Sequence, residues 1–181
     1  LRSRGLGDVY KRQDYFRSPD GSVVNNSAVI FTEVDNTKPF TFTAKVQPEF
    51  TETGTYSAGV IYAYENDTHC QKLCFEQDEY GDHRVVSVRT LGTSDDNNHQ
   101  AITAPYVYMR LSSDGTTLGS YFSEDGKIWR MARLYKNDFP EKLLIGISSQ
   151  SPKDNEHTCL FTEVSLTDKP VADFRKGNIA E

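Results

Sequence analysis

Three carboxylates lie around one predicted turn in "CFEQDEYGDHRVV", residues 74–86. If the strand runs to Asp78, Glu76 and Asp78 project from one face and Glu79 from the other, because side chains alternate along a strand. Retaining glycoside hydrolysis needs two carboxyl groups about 5.5 Å apart. The Glu-x-Asp-x-x-Glu strand of some hydrolases would require a glutamate where Gly81 stands. A β-bulge would re-aim Glu79, so hydrolysis by these three carboxylates stays open as an alternative.

A second set of side chains suits ligand binding without catalysis. Strand alternation directs Leu73 and Phe75 towards the core, and it also predicts that Val86 and Val88 face the core. Aromatic faces stack on sugar rings, and charged side chains bond hydroxyl groups. The alternative is a solvated sheet face braced by cross-strand ion pairs. The residues predicted to share one ligand-binding face are Lys72, Glu76, Arg89, Tyr108, Arg110 and Tyr121.

A polar stretch, "SDDNNH" at residues 94–99, is predicted to be a loop. Its Asp95, Asp96 and Asn97 side chains carry oxygens of the kind that bind Ca²⁺. Their spacing fits no EF-hand, and clusters of Asp and Asn are also ordinary loop chemistry. We therefore expect no cofactor, with Ca²⁺ at these three residues as the alternative.

Composition excludes several classes of protein. The chain has 181 residues and a net charge of −6, which disfavours nucleic acid and anionic membranes as partners. Its apolar stretches are far too short to span a bilayer. Cys70 and Cys74 lie four apart on one predicted strand, roughly 13 Å between Cα atoms, too far for a disulfide. Buried thiols are expected, and at most one of these two cysteines pairs with Cys159.

Short segments that alternate apolar and polar residues are separated by turn signals such as Asp114-Gly115 and Asp125-Gly126. About ten such segments, with no convincing helical period, predict an all-β antiparallel sandwich or jelly roll. The predicted strands are 28–33, 40–48, 56–65, 68–78, 83–91, 105–112, 117–124, 128–134, 142–150 and 158–166. The predicted core residues between the sheets are Phe42, Val60, Phe75, Val88, Met109, Phe122, Ile145 and Phe161.

The chain divides into three predicted parts. Residues 1–13, "LRSRGLGDVYKRQ", are basic and resemble translated adapter sequence fused to a truncated reading frame. Residues 14–168 form the expected sandwich domain. Residues 169–181 form a polar C-terminal tail, expected to be loose. Because an export signal would precede the authentic sequence, localisation is left open by the residues themselves.

Four stretches occur in an order that resembles a known family: "FTFTAKVQPEFTETGTYSAGVIYAYENDTHCQKLCFEQD", "VSVRTLGTSDDN", "YMRLSSDGTTLGSYFSEDGKIW" and "LLIGISSQSP". They resemble the bacterial and fungal domain-of-unknown-function family that includes the regulation-of-enolase protein. The resemblance covers residues 14–166 and implies a concanavalin A-like β-sandwich, without an established reaction. One departure is Cys70, where the family usually has tryptophan. In a bacterium, the fold and family imply an extracellular or periplasmic protein.

The expected function is that of a non-catalytic, carbohydrate-associated binding module, a monomer that binds an oligo- or polysaccharide on a concave sheet face. The alternatives are a glycoside hydrolase or polysaccharide lyase of this fold class, and a regulatory protein-interaction domain. Basic neighbours are predicted to keep Glu76 ionised, with a pKa near or below the ordinary value of about 4.3. Asp78 is predicted at the solvent end of the strand.

Overall fold

The computed structural model of the protein describes residues 2–4, for which only the backbone is described, 13–153 and 156–179. Every regular element in these residues is a strand, and all strand pairs are antiparallel, so the predicted all-β sandwich is confirmed. No helix in the described residues is long and apolar enough to cross a membrane. The strands are β1 (Arg2–Arg4), β2 (Tyr15–Arg17), β3 (Val23–Asn25), β4 (Ile30–Asp35), β5 (Phe40–Pro48), β6 (Ala58–Asn66), β7 (His69–Gln77), β8 (His83–Leu91), β9 (Thr93–Ala101), β10 (Val107–Ser113), β11 (Thr117–Ser123), β12 (Arg130–Lys136), β13 (Lys142–Gln150) and β14 (Thr158–Thr167).

Two six-stranded sheets form the sandwich. Sheet 1 has the order β1-β14-β5-β10-β11-β12, and sheet 2 has the order β4-β13-β6-β7-β8-β9. A two-stranded hairpin, β2-β3, forms separately. Each sheet thus has an inner face towards the other sheet and an outer face.

The apolar core lies between the two inner faces. Six of the eight predicted core residues belong to it and are buried: Phe42, Phe75, Met109, Phe122, Ile145 and Phe161. Their complete burial is the main source of stability, at about 25 cal/mol for each Å² of apolar surface removed from water.

The inward orientation predicted for Val60 and Val88 is wrong. Val60 pairs with Cys74 and Val88 with Lys72, so both lie on the outer face of sheet 2. They join a second apolar cluster there. Strands β6 and β8 carry apolar residues on both faces, so alternation alone does not decide which set points inward. In β8, Ser87 faces inward, opposite Leu73.

The stretch predicted as a loop at residues 94–99 is part of β9, an edge strand paired with β8. Asp96 pairs with Val88, whereas Asp95 and Asn97 pair with Arg89 and Ser87. Because neighbours on a strand point to opposite faces, Asp96 lies on the outer face and the other two do not. In the part of the chain that the structure describes, no group of three His, Cys, Asp or Glu residues is arranged to hold a metal ion.

The segment beyond Thr167 packs against sheet 1, contrary to the expected loose tail. Val171 is buried, and its backbone N–H donates to Ser112 Oγ at 2.9 Å. Thr41 Oγ1 donates to the Lys169 carbonyl oxygen at 2.6 Å. At the other end, β1 pairs with β14, and Gln13 forms a bridge with Ser151. Most of the segment predicted to be foreign, residues 1 and 5–12, lies outside the described residues.

All three cysteines are free and buried. Cys70 and Cys74 lie on the outer face of sheet 2, whereas Cys159 lies in the core beneath Gly59. The expectation of buried thiols is confirmed, and Cys159 pairs with neither of the other two.

Candidate functional site

A pocket with a volume of about 540 Å³ opens on the outer face of sheet 2. We call it the sheet-2 pocket. Strands β7, β8 and β9 supply its floor. Its walls come from the start of the hairpin β2-β3, the segment before β6, the β7–β8 turn and the end of β13 with the residues after it. Its lining residues are Asp14, Phe16, Tyr56, Lys72, Glu76, Glu79, Val86, Val88, Asp96, Asn98, Gln150, Pro152 and Lys153.

The floor follows directly from strand register. Along β7, Lys72 and Glu76 both point into the pocket. They are four residues apart, and side chains an even number of residues apart on a strand lie on the same face. Val88 lies beside Lys72 on β8, and Asp96 lies beside Val88 on β9. The result is a floor of valine side chains bordered by charged and amide groups, a composition typical of sites that orient a polar ligand.

The N-terminal segment supplies one wall and a buried ion pair. Lys72 Nζ donates to Asp14 Oδ1 at 2.7 Å and to Gln150 Oε1 at 3.5 Å. Burial by itself would lower the pKa of Lys72, but Asp14, together with Cys74 and Glu76, outweighs burial and raises it. Gln150 in turn bonds the hydroxyl of buried Tyr62. The Lys72 ammonium is therefore already neutralised by a carboxylate of this chain.

Glu76 does not behave as predicted. Burial raises its pKa to about 8, and Lys72 opposes this shift only in part, while Asp14 and Asp96 reinforce it. The prediction of an ionised carboxylate held by basic neighbours is wrong, because burial outweighs the attraction of Lys72, whose ammonium binds Asp14. The raised pKa favours the protonated form of Glu76, which is a hydrogen-bond donor as well as an acceptor.

Asp96 shares this environment. Burial raises the pKa of its carboxyl group, with Lys72 opposing and Asp14 and Asp95 reinforcing the shift. Neither Glu76 nor Asp96 hydrogen-bonds or pairs with any residue that the structure describes. Both side chains are accessible from the pocket, Glu76 partly and Asp96 largely, so a ligand is able to bond them.

The other two carboxyl residues of the stretch 74–86, Asp78 and Glu79, lie in different environments. Asp78 is buried in the β7–β8 turn, where it accepts hydrogen bonds from the backbone of Tyr80 and Asp82, both at 2.9 Å, and from Arg84 Nε at 2.6 Å. Burial opposes these bonds, yet they lower the pKa of Asp78. Asp78 is a structural residue and not the solvent-facing end of a strand. The turn also brings Glu79 to the pocket rim, whereas alternation had predicted the opposite face.

Arg89 lies between the sheets, not on the outer face. Its Nη2 donates to Asp138 Oδ2 at 2.5 Å, and its guanidinium lies over the Tyr135 ring at 4.0 Å. This correction has the same origin as that of Val88: β8 is turned one residue relative to the prediction, so Ser87 and Arg89 face inward.

The three remaining predicted site residues lie on the outer face of sheet 1. Tyr108 and Arg110 on β10 and Tyr121 on β11 share this face, which is on the opposite side of the molecule from the sheet-2 pocket. Arg110 lies beneath the Trp129 ring at 3.6 Å. The six predicted residues thus occupy three places, and only Lys72 and Glu76 line the pocket.

Several pocket residues were not predicted from the sequence. Asp14 and Gln150 are far from β7 in the chain, so no local spacing relates them to Lys72. Tyr56 has a φ of 65°, a left-handed conformation that is rare for a bulky side chain and that recurs at functional sites. Alternation on an edge strand could have identified Asn98 and Asp96 together, had the stretch been read as a strand.

The family of the chain is shown by comparison with known proteins. A family model described as "Protein of unknown function (DUF1349)" matches residues 7–169. The chain belongs to this family. The match confirms the domain-of-unknown-function assignment that the sequence motifs suggested. None of the curated proteins matches the chain.

Solved structures show the same fold. A functionally unknown protein from Saccharomyces cerevisiae has a TM-score of 0.79 at 23% identity, over 93% of this chain and 86% of that one. A xylan β-1,4-xylosidase from Bacillus halodurans C-125 has a TM-score of 0.68 at 15% identity, over 92% of this chain and 32% of that one. A carbohydrate binding module from Bacillus subtilis has a TM-score of 0.51 at 10% identity, over 78% and 83%. The DUF1349 chain is thus a concanavalin A-like antiparallel β-sandwich, as predicted.

Proposed function

We propose that this DUF1349 domain is a carbohydrate-binding module that binds a saccharide in the sheet-2 pocket. The observation that carries the proposal is the chemistry of the lining: the carboxyl groups of Glu76 and Asp96, and the amide of Asn98, border an apolar floor. A saccharide ring presents hydroxyl groups at its edge and C–H groups on its faces. The former are hydrogen-bonded by carboxyl and amide groups, and the latter pack against valine and aromatic side chains.

The size of the pocket and the similarity of the fold to solved structures support the proposal. A volume of about 540 Å³ lies within the range of ligand pockets, about 300–1,000 Å³, and has room for a short oligosaccharide. A similar fold occurs in a carbohydrate binding module and in a xylosidase, although shared fold alone does not fix function. Within this proposal the protein acts as an exported monomer without a resident cofactor.

Affinity electrophoresis against plant and host polysaccharides tests the proposal. Retardation by at least one polysaccharide is expected, with loss of retardation in Asn98→Ala and in Tyr56→Ala, which change pocket residues. Trp129→Ala is the matched control, because it removes an aromatic ring from the outer face of sheet 1. If folded protein is retarded by no polysaccharide, or if only the Trp129 variant loses retardation, the proposal is wrong.

A second candidate function is glycoside hydrolysis or polysaccharide lysis, favoured by one observation. Burial raises the pKa of Glu76 to about 8, as a general acid requires, and Glu79 lines the same pocket as a second carboxylate. Reducing-end and unsaturated-product assays distinguish catalysis from binding. Turnover that disappears in Glu76→Gln, while the variant still binds and remains folded, would assign the enzyme function.

The family resemblance also suggests a regulatory role towards enolase. Enolase activity measured with and without a stoichiometric excess of the purified domain tests that alternative directly. A change in enolase kinetics without any saccharide binding would favour it over the pocket-based proposal.

A further inference from the structure

The sheet-2 pocket is closed at one end by the chain segment that leads into the hairpin β2-β3. Asp14, at the start of this segment, accepts a hydrogen bond from Lys72 Nζ of β7 at 2.7 Å. Three residues later, the backbone N–H of Arg17 donates to Ser94 Oγ of β9 at 2.9 Å, and Arg17 Nε donates to the Gly92 carbonyl oxygen at 3.0 Å. The segment therefore crosses the outer face of sheet 2 from β7 to the edge strand β9.

The hairpin is also held on the other side of the sheet, and its aromatic rings pack onto the sheet. The hydroxyl oxygens of Ser27, which follows the hairpin, and Ser148 of β13 are 2.9 Å apart. Tyr15 and Phe16 pack against the apolar cluster on the outer face of sheet 2. Residues 14–27 thus form a barrier across this face, which we call the hairpin wall.

Other segments wall two further sides of the pocket. Gln150, Pro152 and Lys153 line the side towards β13. Tyr56, before β6, and Glu79, in the β7–β8 turn, line the end that lies opposite the hairpin wall. The pocket is therefore walled on three sides.

The fourth side is formed by β9, the edge strand of sheet 2. Asp96 and Asn98 on this strand line the pocket and are exposed. The hairpin wall faces the β7–β8 turn, and the residues at the end of β13 face β9. In each pair of opposite sides, at least one side is walled by described residues, so the pocket is blind and is not a groove that runs across the sheet.

We infer that the sheet-2 pocket binds the end of a saccharide chain and not a segment within the chain. This inference rests on the proposed function, because it names the form in which the same ligand is bound. A sugar unit within a chain is bonded to a neighbour on both sides, so its chain needs two ways out of the site. A terminal unit is bonded on one side only, and the opening over β9 is sufficient for it. The walls then surround the terminal unit, as in concave sites that bury most of a small ligand.

Counting the binding sites on one polysaccharide before and after it is cut tests the inference. The probe is the polysaccharide that retards the folded protein most in affinity electrophoresis, used intact and after partial acid hydrolysis, with the chain ends counted chemically in both samples. We expect the amount of protein bound per gram, measured by calorimetric titration, to rise in the same ratio as the chain ends, with an unchanged Kd for each site. A tenfold increase in chain ends should therefore give a tenfold increase in bound protein.

Borohydride reduction of the cut chains distinguishes the two ends, because it opens the sugar ring at the reducing end only. Loss of binding after reduction assigns the reducing end to the pocket, and unchanged binding assigns the non-reducing end. Either result supports recognition of a chain end.

Two variants connect the result to the pocket. Binding to the cut chains should be lost in Asn98→Ala, a change at the open side, and retained in Trp129→Ala, a change on the outer face of sheet 1. Bound protein per gram that stays constant when the chains are cut overturns the inference and leaves the proposed function standing. Absence of binding to any polysaccharide overturns both.

Discussion

The two outer faces of the sandwich carry similar residues but differ in what covers them. On sheet 1, Arg110 and Tyr121 lie beneath the C-terminal segment: Arg110 Nη1 donates to the Gly177 carbonyl at 2.6 Å, and Tyr121 OH donates to that of Phe174 at 2.8 Å. On sheet 2, Glu76 and Asp96 face a pocket and have no described hydrogen-bond partner. Charged and aromatic side chains on a sheet therefore do not by themselves identify a binding face, because other segments of the chain cover some of them.

The C-terminal segment covers the part of the sheet-1 face around Arg110 and Tyr121, whereas Tyr108 and Trp129 on that face remain half-buried. Gly177 has a φ of 72° and lies so near the Tyr121 ring that a Cβ atom there would overlap it. Burial lowers the pKa of Arg110 to about 10, with Tyr121 acting in the opposite direction. The guanidinium is thus desolvated and held by protein groups, which leaves little of it for a ligand.

Among the changes that test this difference between the two outer faces, removal of the C-terminal segment after Lys169 is expected to have the largest effect on stability. Arg110 and Tyr121 would each lose a carbonyl partner, and Val171 would leave its buried site. At about 0.5–1.5 kcal/mol for each lost hydrogen bond and about 1.5–3 kcal/mol for the exposed valine, the free energy of unfolding should fall by about 2.5–6 kcal/mol in urea denaturation. Saccharide retardation should persist in the folded fraction; a truncated protein as stable as the parent would show that the segment is not a structural cover.

A somewhat smaller loss is expected for Asp14→Ala. This change leaves the Lys72 ammonium buried beside Gln150 without its carboxylate, and breaking a buried pair typically costs about 3–5 kcal/mol. Ionisation of Glu76 should recover part of this cost, so we expect about 2–3 kcal/mol and a decrease in the pKa of Glu76. Asp20→Ala, an exposed hairpin residue of the same type, is the control. An unchanged Glu76 pKa in Asp14→Ala would contradict the proposed competition for Lys72.

A pH-dependent effect is expected for Glu76→Gln. The pKa of Glu76 is raised from 4.5 to about 8 on folding, so the folded state holds a proton that the unfolded state has lost between these values. The favourable contribution of the protonated form is complete below about pH 4.5 and is lost as pH rises to about 8. Glu76→Gln should therefore be more stable than the parent by about 1–2 kcal/mol at pH 9, after allowance for solvent in the pocket.

Urea denaturation of both proteins between pH 5 and 9 measures this effect. The difference in unfolding free energy between Glu76→Gln and the parent should grow as pH rises. A difference that is constant over this range would show that Glu76 is ionised throughout, as the sequence had predicted.

The smallest effect is expected for Trp129→Ala. The ring of Trp129 lies 3.6 Å from the Arg110 guanidinium, a contact worth about 0.5–2 kcal/mol when partly desolvated. Thermal unfolding should show a correspondingly small decrease in stability, with unchanged saccharide retardation. A loss of retardation would move the binding site to the sheet-1 face.

The sequence predicted the fold better than the site for a physical reason. Alternation in β7 correctly separated Phe75, which is in the core, from Lys72 and Glu76, which are outside it. Alternation along a strand predicts whether a side chain faces the core or the outside of the sandwich, but a sandwich has two outer faces. Tyr108 and Arg110 do face outward, as predicted, but from sheet 1 and not from the sheet that carries the pocket. In β8, valines occur on both faces, so alternation does not predict which face of the strand points to the core.

The pKa values of the pocket residues could not be predicted from neighbouring residues in the sequence. Lys72 and Glu76 lie four residues apart, which suggests mutual stabilisation. The partner that Lys72 takes is Asp14, 58 residues away in the chain. Burial by the covering segments, reinforced by Asp14, raises the pKa of Glu76 instead of lowering it. The contacts that determine the ionisation of the pocket residues join distant parts of the chain, and they depend on which segments cover the sheet.

Chemical-shift mapping tests the central claim, saccharide binding in the sheet-2 pocket, most directly. Isotope-labelled protein is titrated with the oligosaccharide that retards it most, and backbone amide shifts are followed to saturation. The account predicts the largest changes at the pocket floor and rim, at Val86, Val88, Asp96, Asn98 and Lys153, with little change at Tyr108 or Trp129. Changes centred on Tyr108, Arg110 and Trp129, with the pocket amides unaffected, would contradict it.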